Sequence, residues 1–420
     1  MEYIKVNGQN TLNGTAYVQG SKNAVLPILA ATFLSGKTSQ IHNCPNLSDV
    51  KMTMEILEFL GCKVSFDNNT ITVNSSLVNC NHIPHNMMAK LRSSIIFLGA
   101  VLSRCKSAVL SFPGGCEIGL RPIDLHLKSL KILGVEIIEE HGYLVCKLEK
   151  FKPAKIHLDF PSVGATENIM LFCAVSKGTT TIVNAAKEPE IIDLERFLNS
   201  MGARISGAGT SVITIEGVNS LNSCSYTIIP DRIVASTYLS AAMITGGKVQ
   251  VKNVIPHHLG AVASVFEECG AKIESDANSI VLSAPKTIKK VNLVRTSPYP
   301  GFPTDAQSLL LSVLSKADGT SIVKEDIFEN RFKHVSELIK MGADISVEGK
   351  LAIIKGVKKL MGSQLFATDL RSGAALVIAA LGAEGESKIY NLNYIDRGYE
   401  NLHGVLKELG ANIERVENGY

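Results

Sequence analysis

Six times along this chain an apolar, helix-like run stops at a glycine and passes into a short strand-like run. The segments are LEFLGCKVSF, LKILGVEIIE, LNSMGARISG, FEECGAKIES, LIKMGADISV and LKELGANIER, with the glycines at Gly61, Gly134, Gly202, Gly270, Gly342 and Gly410. Successive glycines stand 73, 68, 68, 72 and 68 residues apart. Glycine turns a chain out of a helix because it takes the left-handed conformation with no Cβ to clash. Each glycine therefore closes an amphipathic helix, and in most copies a hairpin follows, as in KVSFDNNTITVNS and RISGAGTSVITIEG.

Upstream of each signal lies a second kind of helix: KNAVLPILAATFLSG, LRSSIIFLGAVLSRC, TENIMLFCAVSKG, RIVASTYLSAAMITGG, DAQSLLLSVLSKADG and RSGAALVIAALGAEG. These are apolar nearly all round, so they belong in an interior. One unit thus reads as buried helix, strand, amphipathic helix, strand, strand. A 420-residue chain is too long for one hydrophobic core, and six such units can form an array or two groups of three. The stretch PDRI at 230–233, between units three and four, is the candidate crossover.

The buried helices begin with polar residues. Ser21, Thr304 and Asp369 are good capping types. Capping does not account for Lys22, Arg92, Arg232 and Arg371, because a cation at a helix N-terminus costs roughly 0.3–1 kcal/mol. Four of six starts carrying one point to an anionic ligand, on which backbone N–H groups and basic side chains converge. If the starts of each group of three face one crevice, the result is an anion-binding cleft with Asp305 in it. Arg121, Arg331 and Arg397 lie in loops and add to the basic set.

Net charge is only +3 and the two signs are interspersed, which gives no case for a nucleic-acid surface. The start, MEYIKVNGQNTLNG, has no signal-peptide core, and no apolar run is long enough to span a bilayer. Nine cysteines with no CxxC pair fit a reducing compartment and neither a disulfide framework nor a zinc site. We therefore expect a cytoplasmic protein with no metal and no cofactor. SGKTS at 35–39 lacks the first glycine of a phosphate-binding loop, and SGAGTS at 206–211 is a hairpin tip. His257 and His258 are adjacent and cannot share a helix face. The remaining oddity is FPGGCEIGLRP at 112–122, where Cys116 sits among glycines with Arg121 following. A glycine-rich loop of this kind can fold over a ligand and present a thiol to it.

These residues resemble the UDP-N-acetylglucosamine enolpyruvyl transferases (1-carboxyvinyltransferases) of the enolpyruvyl transferase family. The resemblance spans the chain through GSKNAVLPILAA, FPGGCEIGLRPIDLH, PSVGATENIM, AAKEPEIIDL, PDRIVAST, GFPTDAQ, IFENRF, DLRSGAAL and IDRGYE. It implies an α/β (α+β) fold of two inside-out barrels. Each barrel has three units with buried central helices, and a two-strand hinge joins them. The expected domains are 21–229, and 1–20 together with 230–420. The implied reaction transfers the enolpyruvyl group of phosphoenolpyruvate to the 3′-hydroxyl of UDP-N-acetylglucosamine, at the first committed step of peptidoglycan synthesis. The implied partners are those two small molecules, with no nucleic acid and no membrane insertion, and the expected state is a monomer.

Carried over by motif, Lys22, Arg121 and Arg397 hold the phosphate of phosphoenolpyruvate, with Arg331 and Arg371 bordering it. The UDP-sugar contacts are Asn23, Arg92, Arg121, Pro122, Ile123, Asp124, Leu125, Ser162, Val163, Asp305 and Ile327. Asp305 is the implied base at the 3′-hydroxyl, Cys116 the acid that protonates C3 and the target of the epoxide fosfomycin, and Asp369 a support for the reacting centre. Val234, Ser236, Ser372, Phe112, Glu117 and Phe160 differ from the commoner residues, and none of them is a catalytic position. The sister enzymes that act on shikimate 3-phosphate lack the cysteine loop. A silent paralogue conflicts with the filled catalytic positions, and a ligand-free repeat protein leaves the helix-start cations unexplained.

Overall fold

The computed structural model describes residues 2–113 and 123–417. They form two compact units, one holding the chain up to Gln19 and from Pro230 onward, the other running from Gly20 to Ile229. In the Gly20–Ile229 unit the inner helices are Lys22–Thr32, Phe97–Cys105 and Val163–Cys173. In the other they are Arg232–Thr245, Thr304–Leu314 and Leu370–Leu381, which pack on one another at its centre. Their side chains are buried almost without exception, as the all-round apolar pattern requires. The second inner helix is preceded by a turn of 3-10 helix, Arg92–Ile96.

Each unit carries three four-stranded sheets built on one plan. A lead strand runs parallel to the strand that follows an inner helix, and the two strands of a hairpin continue antiparallel. In one sheet Lys155–His157, Gly178–Val183, Val212–Gly217 and Arg204–Ser206 stand in that order, with Ile156 opposite Ile182 and Ile182 opposite Ile213. The sixth copy has no hairpin of its own. Asn412–Val416 pairs instead with the N-terminal strand Tyr3–Asn7, which also pairs with Glu386–Tyr390.

The six glycines all adopt positive φ, between 88° and 102°. In five copies the next residue's N–H returns to a carbonyl five positions back, as from Cys62 to Leu57 and from Ala411 to Leu406. This is the hydrogen bond that satisfies the carbonyls at a helix end.

A second repeated device is visible only in three dimensions. Asn43, Asn184, Asn253 and Asn391 directly follow the strand after an inner helix, all with φ between 55° and 62°. Their side-chain amides donate to the carbonyls of Ile228, Leu158, Val18 and Ala367, each just beyond a lead strand. The tie anchors the segment that enters the next inner helix. In the second and fifth copies Phe112 and Glu325 occupy this place.

Candidate functional site

In the unit containing residues 230–417, four of the expected residues form one network. Asp305 is the second residue of inner helix Thr304–Leu314. Arg331 donates from Nη2 to Asp305 Oδ1, and Arg371 donates from Nε to Oδ2 at 3.1 Å. Both arginines are only 3% exposed, so their charges depend on these partners. Arg331 also donates from Nε to the Thr304 carbonyl, and its Nη1 lies 3.7 Å from Asp369 Oδ1. That same oxygen of Asp369 caps inner helix Leu370–Leu381, accepting from the N–H groups of Arg371 and Ser372. Burial would lower the pKa of Arg371, but Asp305 first, then Tyr399 and Asp231, outweigh it and raise the value. The guanidinium also lies over the Tyr399 ring, whose hydroxyl is 2.8 Å from the Thr237 hydroxyl.

Thr304 is not the cap of its helix. Pro303 holds that position, and the Thr304 hydroxyl donates instead to Glu325 Oε2 at 2.9 Å. Glu325 is 1% exposed, and its other oxygen accepts from the N–H groups of Ile327 and Phe328. One buried carboxylate thus sets both the start of the Asp305 helix and the segment that leads through Ile327 to Arg331. Motif reading passed over Glu325. The signal was available, because here the repeat replaces its asparagine with an acid. Arg397 is half-buried after the short helix Leu392–Ile395, and Gln19 brackets its segment by donating to the Gly398 carbonyl and accepting from Glu400 N–H.

Behind Asp369 and Arg331 lies His334, fully buried. Burial pushes its imidazole down to about 4, with Asp369 opposing the shift. The unfolded chain therefore binds the extra proton between roughly pH 6.5 and 4, and this group's share of stability is lost as pH falls through that window. In urea melts, His334→Leu gains on the wild type by about 2 kcal/mol between pH 7.5 and pH 5. A pH-independent difference would show that His334 does not titrate there.

In the Gly20–Ile229 unit the Lys22 ammonium lies 2.6 Å from Asp49 Oδ2, both side chains nearly buried. Asp49 carried no sequence signal, since the pairing joins two helices. Ser21 caps the first inner helix through the Ala24 N–H, and Asn23 is half-buried beside it. Ser162 caps the third through the Ala165 N–H, with Val163 as its first residue. Arg92 opens the 3-10 turn. Ile123 is buried, Asp124 exposed and Leu125 half-buried at the start of helix Asp124–Ile132. Cys116, Arg121 and Pro122 lie outside the described residues. Five other cysteines are buried, and desolvation raises their thiols, Cys62 to about 11 and Cys44, Cys146, Cys173 and Cys269 to about 12. Such thiols are inert core residues. Among the described residues no group of three His, Cys, Asp or Glu could hold a metal ion, and no helix is long and apolar enough to cross a membrane.

The sequence profile of the family described as EPSP synthase (3-phosphoshikimate 1-carboxyvinyltransferase) matches residues 6–406. The chain belongs to the enolpyruvyl transferase family. Within that family it is 54% identical to UDP-N-acetylglucosamine 1-carboxyvinyltransferase 2 of Caldanaerobacter subterraneus subsp. tengcongensis, over 99% of this chain and 100% of that one. It is 47% identical to UDP-N-acetylglucosamine 1-carboxyvinyltransferase 1 of Carboxydothermus hydrogenoformans, over 99% of each. Among solved enolpyruvyl transferases, NikO from Streptomyces tendae superposes with a TM-score of 0.89 at 25% identity, covering 99% of this chain and 98% of that one. EPSP synthase from Acinetobacter baumannii superposes at 0.75 and 18% identity, over 99% and 100% of the two chains. The two-domain α/β fold with helices inside is therefore the fold of enolpyruvyl transferases.

Proposed function

We propose that this chain transfers the enolpyruvyl group of phosphoenolpyruvate to the 3′-hydroxyl of UDP-N-acetylglucosamine, releasing phosphate, as the first committed step of peptidoglycan synthesis. The observation that carries this reading is 54% identity, end to end, to a UDP-N-acetylglucosamine 1-carboxyvinyltransferase. The acceptor distinguishes it from transfer to shikimate 3-phosphate, and the loop FPGGCEIGLRP supports the same choice.

The residues divide the work as follows. Cys116 gives a proton to C3 of phosphoenolpyruvate, leaving a cationic, oxocarbenium-like centre at C2. The sugar 3′-oxygen attacks C2 as Asp305 takes its proton, which forms a tetrahedral intermediate. Loss of a proton from C3 re-forms the double bond as the C2–O bond to phosphate breaks. Acid and base are separate groups because both act in the addition step. Lys22, Arg121 and Arg397 receive the phosphate, and Arg331 and Arg371 receive the carboxylate end of phosphoenolpyruvate. A carboxylate arriving at Arg331 and Arg371 competes with Asp305 for the same forks and frees an Asp305 oxygen to act as base. Asn23, Arg92, Arg121 to Leu125, Ser162, Val163 and Ile327 hold the nucleotide sugar. Both substrates are water-soluble phosphates, which fits work in the cytoplasm, and we take the chain to act as a monomer. The test is phosphate release from phosphoenolpyruvate, run separately with UDP-N-acetylglucosamine and with shikimate 3-phosphate. Release with the first alone is expected, and release with the second alone overturns the reading.

A further inference from the structure

Asn168, on the third inner helix, is buried among polar groups whose roles are fixed by chemistry. The Gly99 backbone N–H, which can only donate, is 2.7 Å from Asn168 Oδ1. The Ile95 carbonyl, which can only accept, is 3.0 Å from Nδ2. These two contacts leave the amide one orientation. Its Nδ2 also lies 2.7 Å from His126 Nδ1. Nδ2 is a donor, so His126 Nδ1 must accept and carries no proton. A doubly protonated ring would set N–H against N–H at that distance. The ring is therefore neutral, with its one proton on Nε2. Burial first, then Arg92, hold the imidazole down to about 4, in agreement with that geometry.

The protonated edge has a definite place. A Cβ built on Gly164 would stand 3.0 Å from His126 Cε1 and 3.3 Å from Nε2. The ring edge thus lies against the first turn of Val163–Cys173, in room that only glycine leaves. The His126 side chain is 7% exposed, and no described residue makes a hydrogen bond at Nε2. A nearly buried donor with no partner among the described residues is placed to meet an acceptor from a ligand. The helix start and Arg92 both favour an anionic oxygen there.

We propose that His126 donates from Nε2 to an oxygen of the nucleotide-sugar diphosphate, and that Asn168 is the positioning residue that fixes that proton. The proposal rests on the UDP-sugar reading above and deepens it. A neutral donor adds specificity without adding charge, and it stays the same across the working pH range. Asn168 gives the ring this state by occupying Nδ1 from within the core.

Two readouts on the full chain test it. In protein labelled with 15N-histidine, the His126 resonances, assigned by their loss in His126→Asn, should show Nδ1 unprotonated and Nε2 protonated. Calorimetry with UDP-N-acetylglucosamine, in the absence of phosphoenolpyruvate, should show binding about tenfold weaker in His126→Asn, which keeps an acceptor for Asn168 but no donor at Nε2. His126→Gln, whose amide reaches the Nε2 position, should recover most of the affinity, and the KM for phosphoenolpyruvate should not move in either. Asn168→Asp cannot donate, so its spectrum should show a proton on Nδ1. If that variant fails to fold, the wild-type spectrum and the two position-126 variants decide. A proton on Nδ1 in the wild type, wild-type binding in His126→Asn, or equal losses in Asn and Gln overturn the proposal. A wild type that binds the nucleotide sugar but releases no phosphate overturns the transfer reaction and leaves this inference standing. A wild type that does not bind it overturns both.

Discussion

Asp305→Asn should fold, bind phosphoenolpyruvate at least as well as the wild type, and lose about 10²–10⁴-fold in turnover, the usual share of a general base. The amide has nearly the shape of the carboxylate and its oxygen still accepts from one guanidinium. Its NH2 group faces the other fork, donor to donor. The two buried arginines lose one balancing carboxylate, so the cluster becomes one charge more positive, which welcomes the carboxylate of phosphoenolpyruvate. The KM for phosphoenolpyruvate therefore holds or falls while kcat collapses. A residue that mattered only for packing would weaken both together. Steady-state kinetics with each substrate varied separates the cases. Wild-type turnover in Asp305→Asn would remove Asp305 from the role of base.

Cys116→Ala should abolish detectable product for the same kinetic reason, since C3 loses its proton donor. Cys116→Asp should retain activity, because a carboxylic acid also donates. The sign of its pH dependence follows from the acid role. An acid catalyst works only in its protonated form, so activity falls as pH rises through its pKa. An ordinary aspartate titrates several units below an ordinary thiol, and the profile of the variant should move to lower pH. Phosphate-release profiles from pH 5 to 9 check this. Full activity in Cys116→Ala would end the proton-donor reading. The five buried thiols cannot substitute, being held protonated at about 11 to 12 within the core.

Much of the fold was legible because its determinants are local. A glycine after a periodic apolar run needs no distant partner to take positive φ, and all six do. Inner helices that are apolar on every side have nowhere to go but the interior. The polar starts Ser21, Ser162, Asp231 and Asp369 cap their helices through bonds spanning two or three residues. Thr304 shows the limit of that argument. It has the chemistry of a cap, yet Glu325, 21 residues on, takes its hydroxyl. The missing sixth hairpin shows the same limit at the scale of the chain. Its place is filled by Tyr3–Asn7, and nothing near Gly410 announces that strand.

The candidate site follows the same division. Sequence alone determined that cations stand at the starts of buried helices and that a cysteine sits among glycines at 112–122. Both are properties of neighbouring residues and of their spacing. Only the tertiary structure decided which charge meets which: Asp305 held between Arg331 and Arg371, Lys22 against Asp49, and the His126 proton sent to Nε2 by Asn168. Electrostatic and hydrogen-bond energies depend on distances of a few ångströms between groups tens of residues apart. A linear pattern does not contain those distances, and packing six similar units around two centres sets them.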